Sequence, residues 1–590
     1  MEPARPRSPR RRPRRGTPAR PVNTHLLRNA SLLLLGPVLV LMFTAIRPGA
    51  LPPPALPPAF DAVSALRLTQ ELARDYPNRV PGTAGADRAA RWYRDRLAPY
   101  GLPVVEDRWR TGVLGVGEVE LANLVTVVPG SSDEVIVIVA HRDNTGGSSR
   151  AGENASGTAA LVELIRSYAV TGSAGRRLEP HHTLVFLSSD GGAYGSLGAA
   201  RFARTSPLSE RAVAVLSLDG LAGAARPRLE LASYTSHASP PALYRTVAAR
   251  VREQTGGELD RPGWLTQLVD LALPFGYGEQ AQFLAAGRPA VRLATVPDTA
   301  TGESDVAALD PLRLGQLGRG AEASLVSLDA AIQLSGRTAA FLYVGDRALR
   351  GWALKLLLAS ALVPFAVVTL DLLGRAFRRG LRLAPYWRAL RRRLGLWLAI
   401  AALVFGAALA GALPLGGPLP PPADAPPLDR WPAPAAAAVA VLAAAFWVRS
   451  RRRRPSLPTE RGGVGGYTVC FTALLLVSLV VAVVNTYALV FVLPSLYAWL
   501  WLPQLRARRA WVGDAVYGLG LVGPAVALVV LAEQLDLGLR APLYAVGLAT
   551  SGTTPWLLSV CALCWAAVAG ELAELLTTGS EAEGAQARRV

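Results

Sequence analysis

The stretch VIVIVAHRDNTGGSSRAGENASG, residues 135–157, decides how the chain reads. Val135–Ala140 is an unbroken apolar run, the composition of a strand covered on both faces. The run stops at His141, and Arg142-Asp143 follow directly. A Gly/Ser loop comes next, then Glu153-Asn154-Ala155-Ser156-Gly157 opens a helical segment, with Asn154 and Ser156 as natural N-cap types. Glu153 is either a ligand or a helix cap, and Asp219-Gly220 further on reads either as a site or as a turn.

The same alternation extends to both sides. Val104–Trp109, Val116–Val128, Thr183–Ser188, Ala212–Leu218 and Pro289–Thr295 are strand-like. Ala59–Leu72, Ala84–Leu97, Thr158–Ala169 and Leu197–Arg204 have helical character. Strands alternating with helices predict an α/β domain with a mostly parallel central sheet. Ligand sites in such sheets form outside the carboxyl ends of strands, where His141 and Asp219 both stand. His181-His182 precede a strand, away from those ends, and read as solvent-facing, while His237 lies in a Ser/Thr/Pro loop and reads as surface. The three cysteines, Cys470, Cys561 and Cys564, all lie in apolar runs near the C-terminus, so this domain has neither a disulfide framework nor a thiolate zinc site.

The rest of the chain is membrane-like. Of the 590 residues 51% are hydrophobic, and the net charge of +19 rests on arginine, with Lys355 the single lysine. Composition rich in Ala, Gly, Pro and Arg suggests a GC-rich bacterial genome and a bacterial cell membrane, with basic loops flanking spans and no nucleic-acid partner. Residues 1–25 form a disordered Arg/Pro-rich tail. Residues 26–46 form a transmembrane anchor, and 50–345 the polar domain. Residues 351–572 form a multi-pass region of about seven helices, near 351–373, 394–416, 432–448, 467–485, 487–503, 511–531 and 555–572. Each approaches the ~20 residues needed to cross a bilayer. Ala541–Thr550 reads as re-entrant or interfacial, and 573–590 as a tail. Arginine clusters at 375–393, 449–454 and 506–509 place those loops and both termini in the cytoplasm, leaving 50–350 extracytoplasmic. Lys355, Asp371, Asp514, Glu533 and Glu571 lie near span ends and read as interfacial.

Several motifs in the polar domain resemble the M28 peptidase family, a zinc aminopeptidase and carboxypeptidase-like fold. They are Arg79-Val80-Pro81-Gly82-Thr83, His141-x-Asp143, Gly152–Gly157, Phe186–Gly198, Leu218-Asp219 and Gly278–Pro289, the last with Phe283, Gly287 and Pro289 in place. The resemblance covers residues 60–335. One anchor, a peptidase-like domain and a polytopic half is also the layout of the endoplasmic-reticulum metallopeptidases and of the GPI transamidase attachment subunit. The peptidase-like domain of the latter is held to be non-catalytic.

The resemblance implies two zinc ions on five ligands. His141 and Asp219 match two of them, and Glu153 stands for the bridging Asp. Asp143 matches the residue that orients the histidine. Gly192 occupies the place of the general base, and Ala193 and Gln280 occupy two lost ligand positions. His141, Glu153 and Asp219 with a water suffice for one zinc, so the expectation is one zinc ion or none. General-base assistance is worth roughly 10²–10⁴-fold, which Gly192 cannot supply. Asp190, Glu279, Glu303 and Asp305 are candidate substitutes for that base. The favoured expectation is a pseudo-peptidase module that binds or scaffolds a peptide or cell-envelope protein at the bilayer. The alternatives are a one-metal hydrolase and a transporter carrying an appended domain.

Overall fold

The expected strands pair into one sheet. Its members are β1 (Val104–Val113), β2 (Gly117–Val128), β3 (Ser132–His141), β4 (His182–Ser189), β5 (Ala212–Asp219), β6 (Arg228–Glu230) and β7 (Ala290–Ala294). Their order is β1-β2-β4-β3-β5-β7-β6. The centre, β4-β3-β5-β7, is parallel. β1, β2 and β6 add antiparallel edges. The computed structural model describes residues 22–113, 116–146, 152, 154–169, 179–274, 276, 278–295, 309–331, 334, 338–411, 464–505, 510–535, 537–552 and 554–587.

The apolar run of β3 shows why this strand is central. Ile136, Ile138 and Ala140 face a core built with the helices Ala62–Asp75, Ala155–Ala169, Pro241–Thr255 and Pro311–Asp329. Val135, Val137 and Val139 face the opposite core, with the helices Leu197–Thr205 and Glu279–Ala285. All six side chains are 0% exposed. Burying each Val or Ile contributes about 1.5–3 kcal/mol. After β3 the chain crosses one face through Ala155–Ala169 to β4, then the other face through Leu197–Thr205 to β5. Strand order therefore reverses at β3, and the carboxyl ends of β3 and β5 lie at that switch, the place where sheets of this kind bind ligands.

Among the described residues, six segments are long and apolar enough to cross a membrane: Thr24–Phe43, Gly351–Arg378, Ala384–Leu409, Val464–Leu505, Trp511–Gln534 and Trp556–Leu576. Of the eight spans expected, 432–448 lies outside the described residues. The pair 467–485 and 487–503 forms one segment broken at Asn485, where a short 3-10 turn, Thr486–Ala488, separates Val464–Asn485 from Leu489–Leu500. The Ala541–Thr550 helix has ten residues, about 15 Å, too short to span. The last helix runs unbroken from Trp556 to Ala587, so most of the expected tail is helical. Glu571 is not interfacial as expected. It is 2% exposed and paired with Arg393 of a neighbouring helix.

The two halves are joined by specific contacts. A hairpin of β8 (Phe341–Val344) and β9 (Arg347–Arg350) leads into Gly351–Arg378. Ile46, at the end of the anchor, exchanges backbone hydrogen bonds with Ala348 at 3.0 and 2.9 Å, so the domain's entry and exit strands are tied together. The Asn485 amide donates to the carbonyls of Leu271 and Ala272 at 2.9 and 3.0 Å, capping the domain helix Trp264–Ala272.

Candidate functional site

The loop after β3 is held by its own polar residues. Asn154 has a φ of +42°, a left-handed conformation that Asn tolerates better than most residues. Its Nδ2 donates to the carbonyl of His141 at 3.0 Å, and its Oδ1 accepts from the N–H of Gly220 at 3.0 Å. Thr158 Oγ1 donates to the same His141 carbonyl at 2.8 Å. Asn154 thus links the ends of β3 and β5. A Cβ on Gly157 would lie 2.1 Å from Asn154 Oδ1, so the glycine lets this clamp close. Glu153 lies outside the described residues, as do Glu303 and Asp305.

Four charged groups meet at the strand ends. His141 Nδ1 lies 3.3 Å from Asp143 Oδ1, and its Nε2 lies 3.7 Å from Asp219 Oδ1. The other oxygen of Asp219 accepts from Arg292 of β7, at 3.1 Å from Nε and 2.7 Å from Nη2. Asp143 accepts from the backbone N–H groups of Gly192 and Ala193 at 2.7 and 3.0 Å. The Arg292 guanidinium and the His141 ring therefore face two carboxylates. Burial alone would push the His141 ring below its ordinary value, but Asp143 and Asp219 outweigh burial and hold it well above. Burial would likewise raise the Asp219 carboxyl, but Arg292 and His141 hold it well below the usual carboxylate range.

The position of the family base is sterically closed. A Cβ on Gly192 would fall 2.1 Å from Cβ and 2.2 Å from Cγ of His141, so His141 packs against the bare glycine backbone. Asp190 is no substitute base, because it accepts from Arg142 at 3.1 Å and from the N–H groups of Ala122 and Gly191, each at 3.0 Å. Glu279 does enter the site. It is 2% exposed, and its carboxyl accepts from Ser189 and Ser217. Burial pushes it up to about 7, against the pull of His141 and Ser189. Gln280, at the second of the two lost ligand positions, is fully buried. Arg79 of the Arg-Val-Pro-Gly-Thr motif donates from Nε to the carbonyl of Arg142 at 2.7 Å, so that motif braces the loop behind His141.

Two donors of this site have the spacing of ligands on one ion. Two zinc bonds of roughly 2.0–2.2 Å at a tetrahedral angle put donor atoms about 3.4 Å apart, near the 3.7 Å between His141 Nε2 and Asp219 Oδ1. The fit ends there. Among the described residues no group of three or more His, Cys, Asp or Glu side chains converges as metal ligands. A metal at Asp219 would also have to share that carboxylate with the Arg292 guanidinium. The described residues do not by themselves make a zinc site.

Arg292 and Arg142 are the residues that reading the sequence missed. Arg292 lies in the predicted strand Pro289–Thr295, where a single arginine among apolar neighbours was the available signal. His182 is also a correction. It is fully buried, with Asp329 at 3.4 Å and Glu134 at 3.4 Å, because helix Pro311–Asp329 ends over the start of β4. His237 is partly buried and lies 3.2 Å from the carbonyl of Leu284.

Residues 123–261 match the family described as Peptidase family M28. Rat transferrin receptor protein 2 is 32% identical over 162 residues, 25% of this chain and 19% of the rat protein. The human counterpart is 39% identical over 101 residues, 16% of this chain and 12% of the human protein. The chain thus spans less than a fifth of the curated relatives it matches. Porphyromonas gingivalis glutaminyl cyclase aligns over 98% of its length and 45% of this chain, with 17% identity and a TM-score of 0.37. A zinc aminopeptidase from Bacillus subtilis aligns over 94% of its length and 45% of this chain, with 13% identity and a TM-score of 0.36.

Proposed function

We propose that this chain, whose α/β domain is of the M28 peptidase type, is a multi-pass membrane protein in which that domain binds a partner and does not hydrolyse peptides. The observation that carries this reading is Arg292. Its guanidinium occupies Asp219, so the charge that a metal would supply there is supplied by the protein itself. His141 packed against Gly192 supports the same conclusion, since no base fits between them. The motifs that survive have architectural work. Asn154 and Gly157 join two strands, and Asp143 fixes the turn at Gly192-Ala193. The curated relatives named above are receptors by name, which is consistent with a binding role on this fold.

In this reading the domain lies outside the cell membrane, with both termini cytoplasmic, and presents a peptide or envelope protein to the membrane half. Arg375, Arg378 and Arg379 at one end of Gly351–Arg378 support that orientation. The test is turnover. Full-length protein in detergent with added zinc, offered a panel of chromogenic aminoacyl amides, is expected to show no hydrolysis above solvent. Hydrolysis that is lost in His141→Ala would sink the proposal.

One observation favours the second reading, a hydrolase. Glu279 has a carboxyl pushed up to about 7, buried at the strand ends within electrostatic reach of His141. That value suits a general base near neutral pH. If turnover is found, Glu279→Gln is the variant expected to abolish it.

A further inference from the structure

A half-open cavity of about 490 Å³ lies where the domain meets the membrane helices. Its wall includes Arg350, the last residue of β9, and Lys355, in the first turns of Gly351–Arg378. His237, Thr338, Trp352 and Tyr487 line it as well, and among the described residues no Asp or Glu does. Asp346, on the same hairpin, is paired with Arg47 at 3.0 Å. Among the described residues, neither Arg350 nor Lys355 has a carboxylate within ion-pair distance. Lys355 Nζ lies over the Tyr487 ring at 5.1 Å from its centre. Two wall hydroxyls, Tyr487 Oη and Thr338 Oγ1, are buried without a hydrogen-bond partner among the described residues.

These features converge on one ligand chemistry. A buried hydroxyl without a partner is destabilising, and two of them beside two uncompensated cations suit a guest rich in anionic oxygen. The positive-inside tendency does not account for the cations, because the arginine cluster lies at the other end of the same helix. Lys355 stands near the start of a 28-residue apolar helix, and Trp352 is 53% exposed beside it, the setting of a side-chain belt at headgroup level. The anchor reaches the cavity at Ile46, and just before it Met42 and Phe43 are 65% and 85% exposed, a surface that acyl chains can cover. The geometry points to a binding site for the phosphodiester headgroup of an anionic phospholipid. This site is independent of whether the domain holds a metal.

The test uses the full chain in nanodiscs of phosphatidylcholine with phosphatidylglycerol as the minor lipid, released for native mass spectrometry. Wild type retains one phosphatidylglycerol in preference to phosphatidylcholine. The Arg350→Gln/Lys355→Gln double variant loses that preference by about tenfold or more, given the usual strength of juxtamembrane cations. Lys355→Arg keeps it, and millimolar inorganic phosphate does not displace the lipid. Equal retention of the two lipids by wild type overturns the proposal, as does unchanged retention in the double variant or displacement by inorganic phosphate. The wild-type comparison and the phosphate competition need no variant, so both decide the matter even if the double variant fails to fold.

Discussion

Arg292 is 2% exposed and makes two hydrogen bonds to Asp219, so removing it leaves a mostly buried carboxylate with only His141 opposite, at 3.7 Å. Breaking a buried pair in this way costs about 3–5 kcal/mol. Arg292→Ala is therefore expected to lower the unfolding midpoint, and added zinc should recover part of the loss in the variant while leaving wild type unmoved. A variant as stable as wild type, or an equal zinc shift in both, would contradict the assignment. Gly192→Glu tests the other half of the site. Restoring the family's base places a Cβ 2.1 Å from that of His141, so His141 must move. The expected result is destabilisation of about 1–3 kcal/mol and no gain of peptidase turnover. At this scale the sequence was partly legible. His141, Asp143 and Asp219 lie together at the strand ends beside Gly192 and Ala193. Arg292 was hidden because its partner lies 73 positions away in the chain, and only the pairing of β5 with β7 brings them together.

Helix and strand ends carry the next tests. Asn485 breaks a 42-residue apolar segment and directs its amide at the carbonyls of Leu271 and Ala272. Gln534 adds a bond to Asp270 at 2.9 Å. Asn485→Ala leaves the Ala272 carbonyl at a helix end without its side-chain donor, while Leu271 keeps the Ser236 hydroxyl at 2.9 Å, and the loss costs about 1–3 kcal/mol. It should expose the loop beside Ala272 to limited proteolysis, and an unchanged cleavage pattern would argue against this joint. His182 gives a pH test. Burial would lower its pKa, but Asp329 and Glu134 outweigh burial and raise it above the ordinary 6.5. The folded chain then holds this proton more tightly than the unfolded chain. Its stabilisation is full below about pH 6.5 and is lost as pH rises through the higher folded value. The unfolding midpoint should fall across that window, and His182→Gln should flatten the fall. Strands and helices were the most legible level, because burial on both faces writes an unbroken apolar run into β3, β4 and β5. The short β6 and the hairpin β8-β9 have no such run, and the burial of His182 depends on where a distant helix ends.

The whole molecule is an α/β domain, matched over residues 123–261 by the M28 peptidase family, on a set of apolar helices, joined through Ile46, Asn485 and Gln534. The domain's α/β character and the membrane character of the second half were both legible, since each rests on composition repeated over many residues. The junction was not, because its contacts are one backbone pair, Ile46 with Ala348, and single polar side chains whose partners lie more than 200 positions away. The central claim is that the protein supplies its own charge balance at His141 and Asp219 through Arg292. The most direct measurement is the zinc content of the full-length protein, purified without chelator and equilibrated with zinc, alongside His141→Ala. The expected result is far less than one zinc per chain and no difference between the two proteins. One zinc per chain that disappears in His141→Ala would contradict it.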